Sequence, residues 1–311
     1  SIDTACSSSL VGTHVASYML RSGECASSTA MGVQAFLLPA PLAVLVISNM
    51  LAPDGRCKTL DQSADGYVRA EACGGLELQP VTEGAPSALA LVCGTTVNQD
   101  GRSSSLTAPN GPSQQEVIRG SVDRGGVRLG RYEQHEMHGT GTPLGDPIEV
   151  GAACAVLLAG KASRSPLTLS AAKIAHGHTE PVAGLVGLLH ALTSMTHAHA
   201  HLMTNLRTVN PYVVETLSVH STTVAPREDC GMLSSMDAGE SACGVSSFAF
   251  QGTNAHGLIG AGDASVAHTA PHRMIWSRQS LWLAPRAHPL VGVFLQVSAS
   301  HKVSVATMVG G

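Results

Sequence analysis

Residues Val182 to Leu192, VAGLVGLLHAL, are apolar on every side of a helical wheel. Such a helix has no face to offer water, so other layers must cover it all round. That one requirement excludes a simple bundle of surface helices and calls for a layered core. What can pack around it is set by the residues available. Aromatics make up 3% of the chain and glycines number 33, so small aliphatic side chains must fill the interior. Small side chains with many glycines fit close helix-on-sheet packing, as in α/β folds.

The rest of the pattern agrees. Apolar residues Leu10, Val11, Val15, Tyr18 and Met19 recur at helical spacing between Ser7 and Leu20, with Gly23 as a stop. Strands are predicted at Ala85–Thr96, Leu167–Ala172 and Val245–Phe250, and a strand end at Ile2–Ala5. Asn98–Gly111 reads as a loop. Alternating strands and buried helices predict a layered α/β sandwich. Gly260 to Ala270 is small and polar like a linker, which places a boundary near 260. The chain begins at Ser1 rather than a methionine, a first hint of a fragment.

Composition narrows the functional classes. A net charge of -4 and the lack of basic runs with interleaved aromatics argue against nucleic acid as a partner. The apolar stretch from Phe36 to Pro53 is broken by Pro39 and Pro41 and contains Asn49, so no membrane span is expected. Eight cysteines form no C-x-x-C pair and no regular framework. That usage fits reduced thiols in a cytoplasmic compartment, an organelle being the alternative.

One cysteine stands out. In DTACSSSL, Asp3 to Leu10, Cys6 lies where the chain turns into a helix. The helix N-terminus offers unpaired N–H groups and the positive dipole end, which predicts a reactive thiolate. The alternative is a small buried hydrophobe. Two loops supply histidines: His138 heads HGTGTPLGDP, and KIAHGHTE carries His176 and His178. Each histidine alone reads more readily as structural. One cysteine with two loop histidines makes an acyl-transfer set, though spacing alone does not bring them together.

The stretches DTACSSSL, GRCKTLDQSADGYVRAE, VNQDGRSSSLTAPNGPSQQEVIR, HGTGTPLGDPIE and GVSSFAFQGTNAH resemble, in order and spacing, successive motifs of the ketosynthase (beta-ketoacyl synthase) domain of type I polyketide synthases. The resemblance runs from Ser1 to about His256. It implies the thiolase-like fold, a five-layered αβαβα sandwich of two similar halves, here lacking much of the first. Residues 1–87 would be the remainder of the first half with the nucleophile, 88–260 the second half, and 261–311 a linker with the start of a following domain. WSRQSLWL, from Trp276, resembles a linker that follows acyltransferases, and AHPLVG, from Ala287, resembles the opening of a dehydratase.

The implied reaction is a decarboxylative Claisen condensation, extending an acyl thioester with a malonyl unit through an acyl-cysteine, in polyketide or fatty acid biosynthesis. By motif match Cys6 is the nucleophile, and His138 and His178 are the catalytic histidines. Lys173 with its usual acidic partner Glu180, and the gating aromatic Phe250, are supporting residues. Thr140, Thr142, Phe248 and Asn254 match positions that bind pantetheine or acyl groups. The backbone N–H groups of Cys6 and Phe250 would form the oxyanion hole. The domain itself would bind no cofactor or metal; phosphopantetheine arrives on an acyl carrier protein. Implied partners are that carrier protein, neighbouring synthase domains and a second copy in a homodimer. Arg56, Arg69 and Arg102 are candidates for docking an acidic carrier.

The sequence departs from the family pattern at several positions. Ala175 replaces an asparagine, His176 sits where an apolar residue is usual, and Met137 stands where alanine is usual. Ala249 and Gln251 replace loop glycines, which predicts a stiffer loop. The family also has a long segment ahead of the cysteine motif, so the chain by itself is expected to be poorly soluble and inactive, while the full-length protein is expected to be competent; the alternative is an inactive fragment acting as a structural part of a multidomain synthase. A thiolase-type acyltransferase shares the fold but should carry a second catalytic cysteine late in the chain, and Cys243 does not sit in that motif. In THAHAH, His197, His199 and His201 would share one strand face and offer a metal site. A surface turn with solvated histidines is the competing reading.

Overall fold

The computed structural model describes residues 1–38, 40–81, 88–101, 108–159, 166–219, 223–227, 230–231, 241–262, 292–297 and 303–308. The chain divides into two compact units, Ser1–His268 and Thr269–Gly311.

In the first unit the helices are α1 (Ser8–Arg21), α2 (Ala40–Ile47), α3 (Gly111–Gly125), α4 (Gly145–Leu157), α5 (Lys173–His176), α6 (Ala183–His197) and α7 (Pro211–Val219). The strands are β1 (Ser28–Gln34), β2 (Ala72–Leu78), β3 (Ala90–Gln99), β4 (Tyr132–Glu136), β5 (Leu167–Ser170), β6 (His199–Ala200), β7 (Thr223–Val224), β8 (Cys230–Gly231), β9 (Ala242–Phe248) and β10 (Thr253–Ala261). A six-stranded mixed sheet runs β3-β10-β9-β4-β5-β7. Strand β10 pairs antiparallel with β3 and β9, whereas β4 lies parallel to β9 and β5. All seven residues of β9 are buried, as a central strand covered on both faces requires.

Two apolar clusters cover the two faces of this sheet. On one side Val117, Ile118 and Val122 of α3 and Val150, Ala153 and Cys154 of α4 pack with Tyr132 and Leu258. On the other, Leu10 of α1 and Leu185 and Leu188 of α6 pack with Val245, Ala255 and Ile259. The antiparallel pair β1-β2 lies across the far side of α1 and α6: Leu76 joins their cluster, and Gly32 abuts Val182 and Leu185. Helices α1 and α6 are therefore sandwiched between two sheets, which is how α6 meets the demand for cover on all sides. Close approach needs glycine at Gly184, where a Cβ would stand 2.7 Å from Leu10 Cβ.

The expected helix at Ser7–Leu20 is α1, the buried apolar run is α6 behind a short 3-10 turn at Glu180–Val182, and strands fall at Leu167–Ser170 and Ala242–Phe248. The strand end expected at Ile2–Ala5 is not formed: residues 1–4 have no strand partner among the described residues, and Ala5–Ser7 is a 3-10 turn. The strand expected at Ala85–Thr96 is β3; its first residues, the boundary at 87 and Arg102 lie outside the described residues. So do most of the linker after 260, WSRQSLWL and AHPLV. In the second unit, β11 (Gly292–Val297) pairs antiparallel with β12 (Val303–Met308).

The histidines of THAHAH do not share a strand face. His197 closes α6, Ala198 turns the chain at φ 48, and of the three only His199 lies in β6. His201 stacks on His190 of α6, 3.8 Å between ring centroids. No cluster of metal-ligating side chains occurs among the described residues. Nor, among them, is any helix long and apolar enough to cross a membrane.

Candidate active site

Cys6 is presented by a cramped turn. Ala5 adopts φ 50, a left-handed conformation that costs a non-glycine residue energy, so its surroundings must hold it there. Ser8 Oγ accepts the Thr4 N–H at 2.8 Å and donates to Ala5 O at 2.7 Å. From the neighbouring sheet, Ser247 Oγ donates to Cys6 O at 2.6 Å. The three serines that follow the cysteine are all buried, and Ser9 Oγ ties α1 to α6 by accepting the Leu185 N–H.

The fold brings His178 to this turn and His138 beside it. His178 Nε2 lies 3.0 Å from Cys6 Sγ. Its other nitrogen, Nδ1, accepts the Glu180 backbone N–H at 3.1 Å. A neutral imidazole that accepts at Nδ1 carries its proton at Nε2, so His178 donates toward the sulfur. The ring of His138 stands edge-on to His178 with centroids 5.6 Å apart, and Phe248 lies 5.8 Å from His138 on another side. Tyr67 packs edge-on against His178 at 4.8 Å. The backbone of His178 is clamped by this same segment: its N–H donates to Val68 O and its carbonyl accepts the Ala70 N–H.

Two buried carboxyl groups shape the loop of His138. Glu149 accepts the His138 N–H at 2.6 Å and the Gly139 N–H at 2.8 Å. Asp146 accepts the N–H groups of Gly141 and Leu60. The loop turns through Gly139 and Gly141 at φ 50 and 71, and a Cβ at Gly141 would come within 2.9 Å of Lys58 N. Thr140 and Thr142 stay half-buried, their hydroxyls 3.5 Å apart.

Burial governs the charges. Both histidines are held well below the usual imidazole range, first by desolvation and then by the Lys173 ammonium. They are neutral N–H donors at neutral pH. Cys6 departs from the thiolate expectation: burial pushes its thiol up to about 12. Lys173 and the backbone N–H groups of Cys6 and Phe250 work in the opposite direction but do not prevail. Cys6 is 7% exposed, and the dipole of one helix does not offset that loss of water.

Several sequence assignments fall elsewhere. Glu180 pairs with Arg69, through both Nε and Nη2, rather than with Lys173. Lys173 faces Glu136 and Glu149 electrostatically. Arg69 is thereby engaged and 8% exposed in its side chain, which removes it as a carrier-docking residue. Asn254, 1% exposed, donates to Asn98 and Asp100 and so pins a loop instead of facing a substrate. Phe250 is 46% exposed, while Phe248 is buried. The loop bearing Ala249 and Gln251 is tied by Gly252 N–H to Ala249 O and by Gln99 Nε2 to Gln251 O. Sequence reasoning missed Glu136, Asp146, Glu149, His190 and Ser247. GDPIE lies inside one of the family-like motifs, and its two acids one helical turn apart were the signal available.

Comparison with known proteins gives one consistent answer. Residues 1–84 match the family model described as beta-ketoacyl synthase, N-terminal domain, and residues 89–207 match beta-ketoacyl synthase, C-terminal domain. The mycoketide-CoA synthase of Mycobacterium tuberculosis is 40% identical over 264 residues, covering 83% of this chain and 6% of that protein. Erythronolide synthase EryA3 of Saccharopolyspora erythraea is 39% identical over 264 residues, covering 83% and 8%. Among solved structures, the ketosynthase from module 6 of the bacillaene synthase of Bacillus subtilis 168 superposes with a TM-score of 0.77 at 32% identity, over 84% of this chain and 47% of that one. The chain thus spans about half the length of that solved ketosynthase and a small part of each synthase.

Proposed function

This chain belongs to the beta-ketoacyl synthase family, as a ketosynthase of the type I polyketide synthase kind with the thiolase-like fold, and from that premise we propose that it carries out decarboxylative Claisen condensation through an acyl-cysteine. The observation that carries the reading is the His178 Nε2–H aimed at Cys6 Sγ from 3.0 Å, with Nδ1 already occupied.

A thiol held at about 12 is stored protonated and ionises only as it reacts. The N–H groups of Cys6, Phe250 and His178 and the charge of Lys173 all stabilise the ionised sulfur. Cys6 then takes the acyl group from a carrier-borne thioester, and its proton goes to the departing pantetheine sulfur. When a malonyl thioester follows, its carboxylate leaves as CO2 and the electron pair remains as an enolate. Neutral imidazoles suit that step: they donate to the developing enolate oxygen and hold no acidic proton that would quench the carbanion. The enolate carbon bonds to the acyl carbon, and the sulfur departs with its electron pair and is reprotonated.

Phosphopantetheine thus enters as substrate, carried by an acyl carrier protein, with the Thr140 and Thr142 hydroxyls suited to its amides. The family matches at 1–84 and 89–207 support a division at residue 87 into two thiolase-like parts, with 261–311 beyond them. A homodimer, neighbouring synthase domains and a cytosolic site of action complete the reading; the free cysteines support a reducing compartment.

The test is mass spectrometry of Cys6 in the full-length synthase during reaction with acyl- and malonyl-carrier substrates. Cys6→Ala should abolish acyl loading. His138→Ala should load normally and His178→Ala, which also loses a donor to the sulfur, should load more slowly; each should slow condensation by roughly 10²–10³-fold, the effect of losing one such donor. Normal ketone formation in either histidine variant would overturn the assigned roles.

A further inference from the structure

Lys173 sits 6% exposed among groups that can each cancel its charge or depend on it. Desolvation pulls its ammonium toward the neutral form; Cys6, Glu136, Glu149 and Cys57 favour the charged one. Which of these is a true counter-ion decides how the whole site is polarised. Cys6 is a thiol. Glu149 is pushed by burial to keep its proton, and Asp146 is raised to about 6 by the same cause. Glu136 differs. Burial alone would also raise it, but His190, with bonds from Ser170 and Ala172, brings it below the usual range.

The geometry shows how that carboxylate is held. Glu136, at the end of β4, accepts His190 Nδ1–H at 2.8 Å and Ser170 Oγ–H at 2.6 Å on Oε2, and the Ala172 N–H at 2.6 Å on Oε1. Ala172 directly precedes Lys173, so the same contact fixes the start of α5. His190 comes from α6, outside the pocket, and its ring orientation is fixed by His201 stacked at 3.8 Å and 23°. His201 Nε2 is itself bonded to Thr193 Oγ1 at 3.0 Å.

We propose that His190, by donating to Glu136 from behind the site, keeps Lys173 charged and thereby sets the reactivity of Cys6. His190 is a positioning residue: it touches neither sulfur nor substrate. The groups facing this unit are His201 and His176 around the His190 ring, Cys243 on β9, His135 beside Glu136, and Lys173 on α5. Around Lys173 stand Cys6, Cys57, Glu149, Asp146, His138 and His178. His199 acts on His201. Without the His190 N–H, Glu136 takes up a proton more readily, Lys173 loses its counter-charge, and the sulfur loses the cation that favours its ionised form.

The proposal rests on the ketosynthase reading only in its second measurement. The first is the rate of Cys6 alkylation by iodoacetamide from pH 7 to 10, read by peptide mass spectrometry, which needs no acyl substrate. His190→Phe, which keeps a ring to stack on His201 but has no donor, should slow alkylation about tenfold, one unit of thiol ionisation. His190→Asn, whose amide can replace the Nδ1–H, should restore most of the rate. His190→Leu serves in place of the Phe variant if thermal melting shows that chain unfolded. The second measurement is the pH profile of condensation, whose acid limb should move to higher pH in the Phe or Leu variant and return with Asn. Wild-type alkylation in the Phe or Leu variant, or an Asn variant as slow as they are, overturns the proposal. A full-length wild-type synthase that forms no ketone, with alkylation behaving as expected, overturns the functional reading and leaves the charge link standing.

Discussion

At the scale of single residues, Cys6 is where physical expectation and structure part. A cysteine at a helix start reads as a thiolate because the dipole and free N–H groups are local and visible in sequence. The opposing influence, burial by Ser247 and His178 from distant segments, is not local. The outcome is measurable. With a thiol at about 12, wild-type alkylation of Cys6 should climb about tenfold per pH unit from 7 to 10. A plateau near neutrality would show that the dipole wins after all. Glu149 makes the second residue-scale case. Its two oxygens satisfy the buried His138 and Gly139 N–H groups. Glu149→Ala strands both donors, a loss of about 2–4 kcal/mol, and frees the loop that carries His138. The urea midpoint should fall and condensation should fall with it; an unchanged midpoint would mean that water replaces the carboxyl group at no cost.

Among elements, α1 and α6 were legible because each has a clear pattern: an apolar stripe in one, apolar faces all round in the other. Strand β9 was partly legible for the same reason, as it is buried throughout, whereas β10 was not read as a strand. The pair β1-β2 was not legible. Apart from buried Ala30, its residues alternate between half-buried and exposed, and Ser28, Gly32, Gly74 and Gly75 give no apolar signal. The site followed the same rule. Motif resemblance located Cys6, His138 and His178, while Glu136 and His190 stayed hidden because their meaning lies in a contact between β4 and α6. Gly184 is the tightest point of the α1-α6 contact that aims Cys6. Gly184→Ala puts a methyl 2.7 Å from Leu10 Cβ and 2.9 Å from Leu10 N. Overpacking of this kind costs about 1–3 kcal/mol, and here it also pushes α1 away from His178. Denaturation should show that loss, and acyl loading should drop more than stability alone explains; loading at the wild-type rate would place the nucleophile's alignment elsewhere.

Across the whole molecule, buried neutral imidazoles are the recurring device. His138 and His178 line the site, and a second pair lies deeper in the sheet. There Tyr132 Oη meets His135 Nδ1 and His256 Nε2, and Ser246 Oγ meets the remaining nitrogen of each. Four groups with four protons form a closed ring: the tyrosine donates to His135, His135 to Ser246, Ser246 to His256 and His256 back to the tyrosine, or all in reverse. An added proton on either ring breaks the circuit. Burial lowers His135 from 6.5 to about 4 and lowers His256 well below its ordinary value. In the unfolded chain these rings bind protons below about pH 6.5, whereas the folded chain refuses them, so acid favours unfolding. Stability is then fully present above about 6.5 and drains as pH falls toward 4; His135 alone accounts for about 3 kcal/mol by the end of that window. Asp146 and Glu149 work in the opposite sense, since burial lets their folded carboxyls keep protons that the unfolded chain releases. The four buried imidazoles, joined by His14 and His201, oppose the raised carboxyls of Asp100, Asp146 and Glu149, and the imidazoles prevail. The urea midpoint should therefore be lower at pH 5 than at pH 7, and His256→Gln, which cannot take up a proton, should narrow that difference even if it lowers both values. Equal midpoints in the wild type would mean that the rings accept protons in place, and that the neutral site on which condensation depends is not built as described.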